Sequence, residues 1–159
     1  MSVVVFRSYP DRIEYAADTQ ISDGDLKLQS KKVKLFKLGS DIFGSVSSSK
    51  CCFELKDRLT KSKKDTIKKI LDLSKSYPDQ EFLFSSEDAE GTFYIKNGES
   101  RDITNLDFFA IGTGAKYALG ALEKGATPEE AVKIACKYDL YCSAPYGVQV
   151  ESEPTIKVL

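Results

Sequence analysis

The sequence predicts an α+β protein of four layers, in which two antiparallel sheets pack face to face between two pairs of helices (an αββα sandwich). Segments with strand character and segments with helical spacing occur in blocks, in the order strands, two helices, strands, two helices, strands. Such blocks favour helices that lie outside packed antiparallel sheets. With 159 residues, 42% of them hydrophobic, the chain can bury a sizeable core, and we expect one domain over residues 1–159.

The first block has the composition of antiparallel strands. Residues 3–6 form a short apolar run and residues 13–17 partly alternate, with turn-forming residues 8–11 between them, so a hairpin is predicted. Further strands are predicted at the segments that follow, which are separated by turns at 23–25 and 39–41: residues 26–28, 33–38 and 42–46.

The first helix pair follows three serines at residues 47–49. Apolar residues recur at helical spacing between residues 52 and 59 and again between residues 67 and 74, and Pro78 ends the second run. Two adjacent helices are therefore predicted between the two strand blocks.

The second strand block begins at residues 81–84. A tight turn at 96–98 follows a strand at 92–95, and the apolar strand at 108–111 ends in Gly112-Thr113-Gly114. These segments supply the remaining strands of the predicted sandwich.

The last helix pair has a clear boundary between its members. A helix over residues 116–124 ends at Gly125, and the next one starts with Thr127 as N-cap, Pro128 at N1 and Glu130 at N3, which is a capping box. Short strands at residues 146–150 and 155–158 are predicted to complete the sheets.

The charge and hydropathy patterns favour no nucleic-acid or membrane partner. The formal net charge is −1, and the basic stretch at residues 61–69 is interrupted by Asp65, as on a solvated helix face. No run approaches the ~20 apolar residues of a membrane span, and because no charged segment followed by an apolar run is found near residue 1, we expect no secretory leader. We expect a cytoplasmic protein, in the host cytoplasm if its source is viral.

The cysteine and histidine counts favour a protein without a metal or other cofactor. The four cysteines form no Cys-x-x-Cys pair, and the chain contains no histidine, so a zinc site is not expected. The cysteines are interpreted as buried free thiols.

The absence of histidine also restricts the chemistry of any nucleophile. It excludes the Ser-His-Asp and Cys-His systems, so an acyl-transfer enzyme would need another base. A free α-amino group, with an unperturbed pKa of roughly 7.7–8.0, can be that base for the hydroxyl of its own residue. Ser2 becomes such a residue only if Met1 is removed.

Six segments carry a resemblance to a known family when they are taken together in chain order: residues 2–5, 16–20, 31–33, 43–46, 110–114 and 125–136. They resemble the proteasome β-type family of N-terminal nucleophile (Ntn) hydrolases, and most closely its bacterial HslV branch and small viral relatives. The resemblance covers nearly the whole chain and implies the Ntn-hydrolase fold.

The resemblance implies a nucleophile, an acid and a lysine. The nucleophile of the family, usually an N-terminal threonine, falls on Ser2 when the Ala-Ala-Asp block is aligned without gaps, and the strand-end acid falls on Asp18. The buried lysine falls on Lys32 if two residues are deleted in the intervening turn. We expect the strands that carry Ser2 and Lys32 to be neighbours.

Three supporting residues are also implied. The oxyanion-hole glycine matches Gly44, the serine that helps the terminal amine relay a proton falls on Thr113, and the acid at the end of the late helix falls on Asp139. Taken singly, such residues have ordinary structural explanations, such as the strand-to-helix turn that surrounds Thr113.

These roles agree with the chemistry of the side chains. Ser2 Oγ would attack a peptide carbonyl while its own α-amine accepts the proton, directly or through one water. Lys32, paired with Asp18, would place a positive charge near the hydroxyl and favour the alkoxide. The Gly44 N–H would stabilise the tetrahedral oxyanion.

Two main functions remain open at the level of sequence. The first is a self-compartmentalised peptidase of the threonine/serine type, for which the resemblance implies a homo-oligomeric ring, a peptide or unfolded-protein substrate and an ATP-driven unfoldase as partner. The second is a catalytically inactive structural or assembly protein that keeps the fold and retains Met1. Hydrolysis of a small-molecule amide by the same nucleophile is a third hypothesis.

Overall fold

The strands and helices follow the predicted block order. The computed structural model describes residues 2–23, 26–28, 34–62, 64–87, 89–144, 146–150 and 157–158. Its strands are β1 (Val4–Ser8), β2 (Ile13–Asp18), β3 (Ile21–Asp23), β4 (Leu26–Leu28), β5 (Leu35–Leu38), β6 (Asp41–Val46), β7 (Glu81–Ser86), β8 (Gly91–Lys96), β9 (Glu99–Asp102), β10 (Phe108–Ile111), β11 (Tyr146–Val150) and β12 (Lys157–Val158). Its helices are α1 (Ser49–Lys61), α2 (Thr66–Ser76), α3 (Ala115–Glu123) and α4 (Pro128–Tyr138).

Two five-stranded antiparallel sheets form the centre of the fold. The first sheet has the strand order β10-β1-β2-β11-β12, and the second has the order β5-β6-β7-β8-β9. The strands β3 and β4 pair with each other as a separate hairpin in the segment that connects the two sheets. The predicted pair of antiparallel sheets is confirmed.

Three apolar clusters show how the layers stack. Neighbouring side chains of an extended chain point to opposite faces, so alternate residues from Val3 to Phe6 enter different clusters. Val3 and Val5 pack with α3 and α4, whereas Val4 and Phe6 lie between the sheets. The third cluster joins the second sheet to α1 and α2 through residues such as Leu55. The layers are therefore helix pair, sheet, sheet and helix pair, and the predicted αββα sandwich is confirmed.

The structure differs from the predicted elements at some strands. The short strand β9 was not predicted, because Glu99–Asp102 is polar and fully exposed at the edge of the second sheet, so no apolar alternation indicates it. The predicted strand at 33–38 is observed from Leu35 to Leu38, and residue 33 lies outside the described residues, as do residues 155 and 156.

The capping box of α4 is present as predicted. The Thr127 hydroxyl accepts the Glu130 N–H at 3.2 Å, and the Glu130 carboxylate accepts the Thr127 N–H at 2.9 Å. This arrangement fixes the start of α4. Among the described residues, no helix is both long and apolar enough to cross a membrane.

Candidate active site

Ser2 is held at the entrance to β1 by the apolar residues that follow it. It is 3% exposed and directly precedes the buried run that begins at Val3. Because side chains alternate along an extended chain, Ser2 lies on the same face as Val4, which packs between the two sheets. Its hydroxyl is therefore directed toward the second sheet.

A lysine from the second sheet meets that hydroxyl. Lys34 immediately precedes β5, and its carbonyl accepts the Ser45 N–H at 3.0 Å, which extends the pairing of β5 with β6. The Lys34 ammonium group donates a short hydrogen bond to Ser2 Oγ and lies 2.9 Å from each carboxylate oxygen of Asp18. Ser2 and Asp18 thus share one cation.

Asp18 is a fully buried acid at the end of β2. Besides Lys34, its Oδ1 accepts the Val3 N–H at 3.0 Å and its Oδ2 accepts the Gln20 N–H at 3.1 Å. Burial raises the pKa of Asp18, while the Lys34 ammonium and the two backbone donors act against that rise. The carboxylate therefore holds Lys34 in place and ties it to the backbone beside Ser2.

The structure corrects the predicted position of the lysine. Lys34 contacts Asp18 and Ser2, and the predicted Lys32 lies outside the described residues. The prediction required a two-residue deletion after Asp18, but that segment contains the hairpin of β3 and β4, and without the deletion the aligned position is Lys34. The ungapped alignment was the signal that could have found it.

The expected adjacency of the two strands is also wrong. β1 lies in the first sheet between β10 and β2, whereas β5, which follows Lys34, is an edge strand of the second sheet. Lys34 therefore reaches Ser2 across the sandwich and not along a sheet.

The turn after β10 contacts the backbone of Ser2 on both sides. The Ser2 nitrogen donates to Thr113 Oγ1 at 3.2 Å, and the Gly114 N–H donates to the Ser2 carbonyl at 3.2 Å. Gly112 has a φ of +94°, and a Cβ at this position would lie 2.1 Å from the Ser2 carbonyl oxygen. Only glycine allows this approach, so Gly112-Thr113-Gly114 forms a cradle for Ser2.

Gly44 has a different environment from the one predicted for an oxyanion donor. It lies in the middle of β6, where it pairs with Leu35 on one side and Leu83 on the other. A Cβ on Gly44 would lie 2.5 Å from Val4 Cγ1 and 3.2 Å from Leu35 Cδ2. Close packing between the sheets is sufficient to explain a glycine at this position.

Asp139 lies at the C-terminal cap of α4 and is 9% exposed. Its Oδ1 accepts the Tyr141 N–H at 2.9 Å, and no contact between Asp139 and Ser2 is observed among the described residues. The loop that Asp139 begins does contact the segment after β2, since the Ser143 carbonyl accepts the Thr19 N–H at 3.4 Å. The structure therefore places Asp139 in the loop behind the site.

The arrangement brings together a hydroxyl, a cation and a nitrogen that can become an amine. With Met1 attached, the Ser2 nitrogen is a peptide N–H, which has no basic lone pair; as a free α-amine it could accept a proton. Among the described residues, no group of three or more Cys, Asp and Glu side chains could hold a metal ion.

Comparison with known proteins identifies the fold. No family model and no curated protein matches the sequence. Solved structures do match: HslV from Trypanosoma brucei (19% identity, 93% of this chain and 98% of that chain, TM-score 0.73), BPH from Thiobacillus denitrificans (18%, 96% and 100%, 0.77) and Anbu, an ancestral β-subunit, from Yersinia bercovieri (14%, 98% and 86%, 0.73). The chain is similar to these proteins in fold, which is the HslV-like Ntn-hydrolase fold of proteasome β-type subunits.

Proposed function

We propose that this chain, which has the fold of a proteasome β-type subunit, is a peptidase that uses Ser2 as an N-terminal nucleophile after Met1 is removed. The observation that carries the proposal is the position of the Lys34 ammonium, which contacts Ser2 Oγ and both oxygens of the buried Asp18. A purely structural lysine would need only its carboxylate partner, whereas this one also contacts a hydroxyl at the start of the chain.

In the first step, Ser2 Oγ attacks the carbonyl carbon of a peptide bond. The free α-amine of Ser2 accepts the hydroxyl proton, directly or through one water, as the new C–O bond forms. The Lys34 charge stabilises the developing negative charge on Oγ, and Asp18 keeps that lysine oriented. Thr113 Oγ1, which accepts from the Ser2 nitrogen, orients the amine toward the hydroxyl.

The tetrahedral intermediate then collapses. The C–N bond breaks, and the leaving amine takes the proton held by the Ser2 ammonium, which leaves an acyl ester on Oγ. Water attacks the ester with the Ser2 amine again as base, so that the acid product and free Ser2 are released.

The backbone after β6 is our candidate for the oxyanion donor in place of Gly44. The strand ends at Val46, whose Cγ2 would lie 3.1 Å from a Cβ on Gly112, and Gly112 abuts the Ser2 carbonyl. The chain that leaves β6 at Ser47 therefore passes beside the cradle, and its N–H is the group we propose for the oxyanion. Loss of one such donor typically costs about 2.7–4 kcal/mol of barrier.

We further propose that the subunits assemble into a homo-oligomeric ring that encloses the sites. Large apolar side chains are exposed on the helical layers, including Phe53 on α1 (74%), Tyr138 at the end of α4 (60%) and Leu140 after it (83%). Phe53 lies on the opposite outer layer from Tyr138 and Leu140, and a ring in which each subunit contacts two neighbours needs two different contact surfaces. Sedimentation that showed a monomer at every concentration would contradict the ring.

The proposal is tested with a preparation in which Ser2 is the first residue, verified by intact mass. This protein should hydrolyse fluorogenic peptide amides, and the epoxomicin found in complex with BPH serves as a probe of the site. Ser2→Ala is the matched variant, because it removes the hydroxyl and keeps the strand. Equal activity in Ser2→Ala, or with Met1 attached, would refute Ser2 as an N-terminal nucleophile. A native protein that retains Met1 and hydrolyses no peptide would favour the inactive assembly protein instead.

A further inference from the structure

Glu81, a residue of the second sheet, contacts the cradle of Ser2 in the first sheet. It is the first residue of β7, where it pairs with Val46 of β6 and Lys96 of β8. Its Oε1 accepts the Gly112 N–H at 3.2 Å. Since Gly112 directly follows β10, this hydrogen bond joins the two sheets at the turn that holds Ser2.

The position of Gly112 determines where the Ser2 backbone lies. Its Cα would carry a Cβ only 2.1 Å from the Ser2 carbonyl oxygen, so a small shift of this residue changes the space available to Ser2. The next two residues provide the hydrogen bonds to the Ser2 nitrogen and carbonyl, both at 3.2 Å. A hydrogen bond that holds Gly112 in place therefore also stabilises the close contact of Gly112 with the Ser2 carbonyl and the two hydrogen bonds from Ser2 to Thr113 and Gly114.

The other oxygen of Glu81 is held by a tyrosine of its own sheet. Tyr94 donates its O–H to Glu81 Oε2 at 2.7 Å, and its ring packs edge to face on Phe109 of β10, with centroids 5.6 Å apart. Burial and the hydrogen bond to Glu81 both raise the pKa of Tyr94, so the phenol keeps its proton. The hydrogen bond from Tyr94 thus fixes one oxygen of the Glu81 carboxylate, and the other oxygen accepts the Gly112 N–H.

We infer that Glu81 is a positioning residue for the Ser2 site: through the Gly112 N–H it fixes the cradle that aligns the Ser2 nitrogen with Thr113 and directs the hydroxyl toward Lys34. The inference rests on the proposed function, because it concerns the alignment of that nucleophile. A carboxylate suits the role, since two acceptor oxygens can bridge a backbone donor and a phenol at once.

Glutamine can reproduce this geometry and alanine cannot. In Glu81→Gln the carbonyl oxygen can accept the Gly112 N–H while the amide nitrogen donates to the Tyr94 oxygen. In Glu81→Ala the Gly112 N–H loses its acceptor and the cradle is free to move. Glu99→Ala is the matched control, because it removes an exposed carboxylate from β9 of the same sheet.

Steady-state kinetics on the Met1-free protein test the inference. We expect Glu81→Ala to lower kcat about 10- to 100-fold, the size of loss that a misplaced reacting group produces, with KM changed less than about twofold. Glu81→Gln should recover most of kcat, and Glu99→Ala should match the wild type. Unchanged kcat in Glu81→Ala, or equal losses in the Ala and Gln variants, would overturn the inference.

Amide hydrogen exchange at Gly112 provides a readout that does not depend on activity. Exchange at this amide should be at least about tenfold faster in Glu81→Ala than in the wild type or in Glu81→Gln, because the N–H loses its acceptor. If the Met1-free wild type hydrolyses no peptide, the proposed function fails, while this measurement still decides whether Glu81 anchors the cradle. An unchanged exchange rate would refute the anchor even in an active enzyme.

Discussion

Replacing Lys34 with methionine tests the central contact of the site. Methionine keeps much of the apolar stem but removes the ammonium group from Asp18, which is completely buried. Removal of one partner of a buried ion pair typically costs 3–5 kcal/mol, because the other charge is left uncompensated. Since two backbone N–H groups still bond to Asp18, we expect a loss of about 3 kcal/mol, at the lower end of that range.

The loss should be visible in thermal unfolding. In a chain of this size, 1 kcal/mol corresponds to a shift of roughly 2–4 °C, so the melting temperature of Lys34→Met should fall by about 6–12 °C. The loss should also depend on pH. Burial raises the pKa of Asp18, and in the variant the Lys34 ammonium no longer opposes that rise, so the loss of stability grows as the pH increases above the pKa of this carboxyl in the unfolded chain. Destabilisation should therefore be smaller at pH 5 than at pH 7.5.

A double variant separates stability from catalysis. Asp18→Asn combined with Lys34→Met removes both charges, so part of the lost stability should return, whereas peptide hydrolysis should stay at least about 100-fold below the wild type, since the charge near Ser2 is absent. Calorimetry and fluorogenic peptide assays measure the two effects on the same samples.

Lys32→Met is the matched control for this series. The amine that contacts Asp18 belongs to Lys34, so a control that keeps this amine should unfold within about 2 °C of the wild type. A control as damaging as Lys34→Met, or a Lys34→Met protein with unchanged stability and activity, would refute the assignment.

The remaining predictions concern packing, the amine contact and a buried thiol. Gly44→Ala should destabilise the protein by about 1–3 kcal/mol, because the new methyl would lie 2.5 Å from Val4 Cγ1, and Val4→Ala in the same chain should relieve much of this loss in chemical denaturation. If Val4→Ala gave no relief, close packing would not explain the glycine, and the predicted functional role of Gly44 would be favoured again. Thr113→Val should lower kcat of the Met1-free enzyme about tenfold or more, because valine lacks the hydroxyl that accepts a hydrogen bond from the Ser2 nitrogen. Thr113→Ser keeps that hydroxyl and should retain most of kcat. Wild-type rates in Thr113→Val would exclude this contact from the mechanism. Burial raises the pKa of Cys51 to about 12, so Cys51 in the native protein should resist alkylation by iodoacetamide at pH 8. The contribution of this buried thiol to stability should be complete below the thiol pKa of about 9 in the unfolded chain, and it should decline as the pH rises above that value. Rapid alkylation of the native protein, measured by mass spectrometry with the unfolded chain as reference, would contradict this.

The sequence predicted the elements whose signal is local. The capping box of α4 depends on residues three positions apart, and the apolar run before Phe6 needs no partner to be identified as a strand. Block order then favoured two antiparallel sheets with outer helix pairs. The polar edge strand β9 carried no such signal, because its pairing with β8 depends on backbone hydrogen bonds and not on its side chains.

The candidate site was predicted in part. Ser2, Asp18 and Thr113 were each named from a resemblance spread along the chain, and the structure brings all three together. The lysine that contacts Asp18 in the structure is two residues after the predicted Lys32, because a sequence alone does not show whether the segment after Asp18 is a short turn or a hairpin. Glu81 was missed altogether.

By itself, the sequence restricted the chemistry open to this protein: without histidine, a serine nucleophile needs another base, and the free α-amine of its own residue can be that base. It also determined the layer pattern, since apolar periodicity is set by neighbouring residues. Only the tertiary structure decided which lysine meets Ser2, why Gly44 is a glycine and which carboxylate holds Gly112. Those contacts join residues of different sheets, and their geometry depends on how two twisted sheets pack, which no local pattern of side chains records.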